Sequence, residues 1–178
     1  MPRSRAALRS VLAASALVAT LSVTGCSLFG GGPERDDAGN VTKAASLGID
    51  DLQIGDCFNT SVSGKTASSE DTEVETNVKV VPCTEAHTDE VFAKGKLTGT
   101  TLPSGSELED QAAAICDEAL AKYVGDDNTD VLYAYYTAND NISYATNKTL
   151  TCAIALEDGS AMNRTAKGVK TLEALTAK

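Results

Sequence analysis

The pattern of apolar and polar residues predicts four strands and one long helix. Alternating or mostly apolar runs indicate strands at residues 74–81, 90–97, 131–138 and 149–156. Between the second and third of these runs, apolar residues recur every three or four positions, which is typical of a helix that packs on one face. We therefore predict an α+β fold, with a small, mostly antiparallel sheet of about four strands against one main helix.

The predicted helix has its own start and stop signals. Ser106 and Glu109 have the spacing of a capping box, and Gly125 is the expected stop. One face of this helix then carries Leu108, Ala112, Ile115, Cys116, Ala119 and Tyr123. Cys116 is therefore expected to point into the core.

The alternation within the predicted strands indicates which residues share a face of the sheet. Leu150, Cys152, Ile154 and Leu156 share one face of the last strand, and Val91, Ala93 and Gly95 share one face of the second. The short link at residues 84–87 predicts that the first two strands form a hairpin.

The first 26 residues resemble a bacterial lipoprotein export signal. Three arginines precede an apolar run of thirteen residues, from Val11 to Val23, which is too short to cross a membrane as a helix. Thr24 and Gly25 then stand directly before Cys26. The resemblance implies that residues 1–25 are removed and that the Cys26 sulfur receives a diacylglycerol. An ordinary signal peptide followed by an incidental cysteine is the alternative.

The charge of the remaining chain limits its partners. After removal of residues 1–25 it has 12 basic and 25 acidic residues, a net charge of −13. Nucleic acids and anionic lipids repel such a chain, so nucleic-acid binding is not expected. Attachment to the membrane would depend on the lipid at Cys26, because no basic patch assists it.

Composition divides the remaining chain into three parts. Residues 26–48 are rich in Gly and Asp and poor in large apolar side chains, which predicts a flexible tether. Residues 49–170 have the length of one ordinary domain, and residues 171–178 are expected to be a C-terminal tail.

Four cysteines fall in the predicted domain, and an even number in an exported chain indicates two disulfides. We predict Cys116–Cys152, because both lie where the helix meets the sheet. Cys57–Cys83 would then join the entry segment to the first strand. Zinc is the alternative, but the cysteines are widely spaced and the chain has one histidine, so no metal or cofactor is expected. Three aspartates, Asp126, Asp127 and Asp130, are interpreted as solvated loop residues rather than as a calcium site.

Two segments around the first cysteines resemble a known family. Residues 52–58 read Leu-Gln-Ile-Gly-Asp-Cys-Phe, and residues 80–91 read Val-Val-Pro-Cys-Thr-Glu-Ala-His-Thr-Asp-Glu-Val. With Cys116 and Cys152 they are similar to the septum-formation-related domain family of actinobacteria. The resemblance covers about residues 50–170 and implies a domain in the cell envelope. The family's name suggests a link to cell division.

His87 is the one histidine of the chain, and it lies close in sequence to Asp89 and Glu90. These three residues are the candidate polar site. A general base oriented by a carboxylate is one interpretation, but no serine elbow motif supplies a nucleophile, and the core cysteines are expected to be oxidised. A structural role for His87 in the link between two strands is the other interpretation, and it is the one that we favour.

Taken together, these features predict a protein without enzymatic activity on the extracytoplasmic face of the cell membrane. We expect a lipid-anchored binding or scaffolding domain whose partner is an envelope or division protein. A hydrolase that uses His87 with a nearby carboxylate is one alternative, and a small-ligand-binding lipoprotein is another.

Overall fold

The computed structural model describes residues 32–60, 77–125, 132–169 and 172–176. Cys26, the signal segment and Asp126, Asp127 and Asp130 lie outside these residues. The strands are β1 (Ala45–Gly48), β2 (Cys57–Asn59), β3 (Asn77–Val81), β4 (Asp89–Lys96), β5 (Leu132–Tyr136) and β6 (Thr149–Ala155). The α-helices are α1 (Ser106–Val124), α2 (Asn141–Thr146) and α3 (Leu172–Thr176).

The strands form one antiparallel sheet in the order β1-β3-β2-β4-β6-β5. The α+β class with an antiparallel sheet is therefore confirmed, as is the long helix. Over the described ranges the sheet has six strands rather than about four. The two additional strands, β1 and β2, have four and three residues, which is too short for an alternating pattern to stand out.

The predicted hairpin between the first two apolar runs is wrong. These runs are β3 and β4, and β2 lies between them and pairs with both. Cys57 lies opposite Val81 on one side and opposite Glu90 on the other. The short link therefore spans one intervening strand, which sequence spacing does not reveal.

Strand β4 runs through the middle of the sheet and contains an irregularity. Its register against β6 shifts between Val91 and Ala93. Val91 therefore packs on the face of the sheet away from α1, whereas Ala93 packs on the face covered by α1. The expectation that these two share a face with Gly95 is therefore wrong. Helix α1 approaches β4 closely at Gly95. A Cβ at this position would lie 2.6 Å from Ile115 Cγ2, so no larger residue fits without a shift.

Helix α1 packs as its periodicity predicts, although it begins differently. The residues of the predicted apolar face are buried or partly buried in the core on the helix side of the sheet. Gly125 ends the helix in the left-handed conformation, with φ 81°. The predicted capping box is wrong, because Ser106 is already helical and Gly105 holds the cap position, where it has no side chain to accept a hydrogen bond from the first turn.

The opposite face of the sheet is covered by the segment that leads into β1 and β2. Three residues of this segment are buried against that face: Val41, Ile49 and Leu52. They pack with Phe58, Val78, Val80, Val91 and Ala153 of the sheet. The structure therefore differs from the predicted flexible tether over residues 32–48, since β1 and Val41 belong to the folded domain. The apolar residues there are too few and too scattered to signal packing.

The end of the chain also packs on the domain rather than forming a separate tail. Leu175, in α3, is 1% exposed and belongs to the core on the helix side. The carbonyl of Leu175 accepts a hydrogen bond from the backbone N–H of Asn163 at 2.9 Å. In the described part of the chain, no helix combines the length and the apolar character that a membrane crossing needs.

Candidate functional site: a buried polar cluster and two disulfides

Both predicted disulfides are present. Cys57 and Cys83 are bonded with a Cα–Cα distance of 5.2 Å, and Cys116 and Cys152 with one of 5.8 Å. The first joins β2 to the residues just after β3. The second joins α1 to β6 through the centre of the core, where both cysteines are fully buried. The connectivity predicted from the helix and strand faces is confirmed.

His87 is fully buried in the link between β3 and β4. Its Nδ1 lies 2.8 Å from the carbonyl oxygen of Glu85, and since a carbonyl can only accept, Nδ1 is the donor. Its backbone exchanges hydrogen bonds of 3.0 and 2.8 Å with Met162. Nε2 has no hydrogen-bond partner among the described residues. His87 therefore contacts its own link and the chain near Met162 through its backbone and Nδ1.

Asp89 is buried among hydroxyl groups. Its carboxylate accepts hydrogen bonds from Thr88 Oγ1 at 2.6 Å, from Tyr136 Oη at 3.1 Å and from Thr60 Oγ1 at 3.2 Å. Burial raises the pKa of Asp89, and the hydroxyl donors and His87 oppose that rise without cancelling it. The folded state therefore holds the Asp89 proton more tightly than an exposed aspartate would.

This shift predicts a pH dependence of stability. Because the folded pKa of Asp89 is raised above the exposed value of 3.8, folding is favoured at low pH and loses this contribution as pH rises through the folded pKa. We expect the free energy of unfolding of the wild type, relative to that of Asp89→Asn, to fall as pH rises from the exposed value of 3.8 through the folded pKa. The slope should be at most about 1.4 kcal/mol per pH unit. Urea unfolding from about pH 3 to 7 measures it.

The control for this prediction is Asp36→Asn. Hydrogen bonds from Asn40 lower the pKa of Asp36, so its contribution to stability is present above 3.8 and is lost as pH falls. The two variants should therefore show opposite pH trends relative to the wild type. Equal trends in both would contradict the proposed environment of Asp89.

Glu90 lies beside Asp89 in sequence but is held by a different group of residues. Its carboxylate accepts hydrogen bonds from Tyr123 Oη at 2.7 Å, from Thr165 Oγ1 at 2.5 Å and from the backbone N–H of Ala166 at 2.5 Å. Burial and the Glu90 charge together raise the pKa of Tyr123. Neighbouring strand residues point to opposite faces, so Glu90 meets the helix side while Asp89 meets Tyr136 on the other side.

The three residues of the predicted polar site therefore do not form one hydrogen-bonded cluster. Asp89 and Glu90 use their oxygens to hold hydroxyl and backbone donors from distant parts of the chain. His87 hydrogen-bonds a backbone carbonyl, and none of the hydrogen bonds in the described residues joins it to a carboxylate. These contacts connect β4 to α1, to β5 and to the chain around residues 162–166.

A partly buried ion pair, which the sequence did not indicate, holds the N-terminal segment. Arg35 Nη1 and Nη2 donate to the two carboxylate oxygens of Asp56 at 2.6 and 2.8 Å, and the backbone N–H of Gln53 donates at 2.8 Å. Asp56 is 2% exposed. Hydrogen bonding to Asp56 raises the pKa of Arg35. Asp56 appeared in the sequence only as part of a family-like motif, and nothing there indicated its partner 21 positions earlier.

One group of side chains has the spacing of metal ligands within the described residues. The Cys57 and Cys83 sulfurs and a Glu90 carboxylate oxygen lie within 4.8 Å of one another. Both sulfurs belong to the disulfide, and a disulfide sulfur lacks the negative charge with which a thiolate binds metal. The proximity is thus explained by the pairing of β2 with β4, in which Cys57 lies opposite Glu90.

Comparison with known proteins does not extend this picture. No family model, no curated protein and no solved structure matches the chain.

Proposed function

We propose that this chain is a lipid-anchored binding or scaffolding domain on the extracytoplasmic face of a bacterial cell membrane. The observation that carries the proposal is the sequence Thr24-Gly25-Cys26 at the end of a short apolar run, followed by a disulfide-containing domain. Disulfides persist in oxidising compartments outside the cytoplasm, which fits an exported protein. A role near division sites rests on the resemblance to the septum-formation-related family.

The polar residues of the domain also favour a binding role. His87, Asp89 and Glu90 are all buried and engaged in contacts that join parts of the fold. The hydrolase alternative requires a histidine that reaches a substrate, and His87 is fully buried. The structure therefore supports a protein-binding surface better than a catalytic centre at His87.

The membrane anchor is tested by labelling cells with radioactive palmitate and by fractionation, using Cys26→Ser and the control Ser27→Ala. We expect the wild type and the Ser27→Ala variant to be labelled and to sediment with membranes. The Cys26→Ser variant should lose the label. Equal labelling of Cys26→Ser, or an unlabelled wild type, would overturn the anchor.

The scaffolding role is tested by crosslinking in cells of the native host, followed by mass spectrometry of the captured proteins. We expect a defined envelope or division protein to be crosslinked by the wild type and lost with Cys26→Ser, because the anchor places the domain beside its partner. Absence of any protein partner with both forms would overturn the scaffolding role. The ligand-binding alternative would then be preferred.

A further inference from the structure

Strand β5 forms one edge of the sheet. Its register pairs it with β6, and no strand lies on its other side among the residues that the structure describes. Edge strands usually carry charged residues or proline, which prevent pairing with other chains. The five residues of β5 are Leu-Tyr-Ala-Tyr-Tyr, with neither a charge nor a proline. Within the described residues, this edge therefore carries none of these protective side chains.

The hydrogen-bonding pattern shows which residues of β5 face outward. The backbone N–H of Leu97 donates to the carbonyl of Lys148, which marks the place where β6 begins to bond to β4. Every second residue of β6 bonds to the same neighbour, so the backbone groups of Leu150 and Cys152 also point toward β4. The alternate residues of β6 then bond toward β5, where Ala153 pairs with Ala134. Consequently, the backbone N–H and C=O groups of Tyr133 and Tyr135 point away from β6. They provide two donors and two acceptors in line along the open edge.

Acidic side chains of α1 lie beside the same two tyrosines. Tyr133 Oη donates to Asp117 Oδ1 at 2.5 Å. Tyr135 has a raised pKa, to which burial contributes most and the charge of Glu109 adds. Helix α1 carries five acidic residues and one lysine, Lys122, which is already paired with Glu118 at 2.6 Å. The helix side of the edge is thus negative.

We propose that β5 binds an extended segment of a partner protein with basic residues at alternate positions, which adds to the sheet as a seventh strand. The outward groups of Tyr133 and Tyr135 would bond its backbone. Side chains of a strand alternate between faces, so every second residue of the segment would meet the acidic helix side. There a Lys or Arg contacts Asp117 and Glu109 and lies near the tyrosine rings, which attract cations. The inference rests on the proposed binding function and specifies its surface.

The probe is an acetylated and amidated hexapeptide of alternating Lys and Val, titrated into the folded domain. Amide hydrogen exchange followed by NMR is the readout. We expect the exchange of the Tyr133 and Tyr135 amides to slow at least about tenfold on saturation, as new hydrogen bonds form. The Ala134 amide, which already bonds to β6, should change little. Binding should weaken several-fold when the ionic strength rises from about 0.01 to about 0.15 M, as the Debye length falls from about 30 to about 8 Å.

Two control peptides separate the contributions. A Lys-Lys-Lys-Val-Val-Val peptide has the same composition without the alternation, and an alternating Glu-Val peptide reverses the charge. Both should bind at least about tenfold more weakly. Equal binding of the block peptide would overturn strand addition, and equal binding of the acidic peptide would overturn the charge complementarity.

Protein variants test the same edge from the other side. Tyr135→Pro removes one outward N–H, a substitution that edge strands tolerate, whereas Tyr135→Val removes the ring and keeps the N–H. We expect Tyr135→Pro to bind the alternating peptide more weakly than Tyr135→Val. Glu109→Gln with Asp117→Asn should reduce the binding and its dependence on salt. If Tyr135→Pro fails to fold, the exchange of the wild-type amides decides the proposal.

Other outcomes would also overturn the proposal. Unchanged exchange at Tyr133 and Tyr135 with saturating peptide means that the edge is not the binding surface. A dimer that forms through β5 in sedimentation, without peptide, means that the occupant is a second copy of this chain. A partner that is crosslinked in cells equally by the wild type and by Tyr135→Pro overturns this inference while leaving the scaffolding role intact.

Discussion

Replacing Cys116 and Cys152 together by alanine is expected to lower the free energy of unfolding by about 4 kcal/mol. The disulfide closes a loop with a sequence separation of 36 residues, and the loop-entropy relation gives about that value. Both sulfurs are fully buried in the core under α1, so their removal also costs packing. Small domains have a stability of roughly 5–15 kcal/mol, so we expect a large decrease in the urea midpoint.

The matched control is the pair Cys57→Ala and Cys83→Ala. Its separation of 26 residues gives a loop-entropy estimate of about 3.5 kcal/mol, close to that of the first pair. Cys83 is partly exposed, so less packing is lost there. We therefore expect the second double variant to be less destabilised. The opposite order would show that the Cys116–Cys152 bond does not stabilise the core as the structure indicates.

Arg35→Ala is expected to destabilise the domain by about 2–3 kcal/mol, between the cost of breaking an exposed ion pair and that of breaking a fully buried one, because only Asp56 is fully buried. The reason is that the carboxylate of Asp56, which is 2% exposed, would lose its bidentate partner. Detachment of the segment that carries Val41 should follow. Urea unfolding measures the first effect, and faster amide exchange over residues 34–42 measures the second.

Lys43→Ala provides a control in the same segment. Lys43 pairs with Glu34 at 3.3 Å, with side chains 72% and 69% exposed. Exposed ion pairs contribute roughly 0–1 kcal/mol, so this variant should differ little from the wild type. Equal destabilisation by the two variants would mean that the Arg35–Asp56 pair does not fix the segment. Arg35→Lys should fall between them, because lysine lacks the planar fork of arginine.

The sequence determined the parts of this fold whose signals are local. The 3–4 spacing along α1, the stop at Gly125 and the alternation from Leu150 to Leu156 each involve residues within one element. Both disulfides followed from them, since the faces of α1 and β6 place Cys116 opposite Cys152. The runs in α1 and β6 are long enough for the spacing of their apolar residues to repeat, and a repeat is what distinguishes a helix from a strand in a sequence.

The tertiary structure decided the features that depend on distant residues. Strands β1 and β2 are too short to show a period, and their places in the sheet come from pairing with β3 and β4. The one-residue shift within β4 moved Ala93 to the other face, because the side-chain period of a strand is two. Burial of the N-terminal segment likewise depends on a partner that lies far away in sequence.

The candidate site shows the same division. The sequence indicated His87, Asp89 and Glu90 because they are polar and adjacent, but adjacency along a strand places Asp89 and Glu90 on opposite faces. Which donors each side chain meets was decided by elements up to 76 positions away, as for Glu90 and Ala166. The open edge of β5 was likewise set by strand order and hydrogen-bond alternation. Local periodicity therefore determined the elements, and only their packing against distant segments determined the contacts.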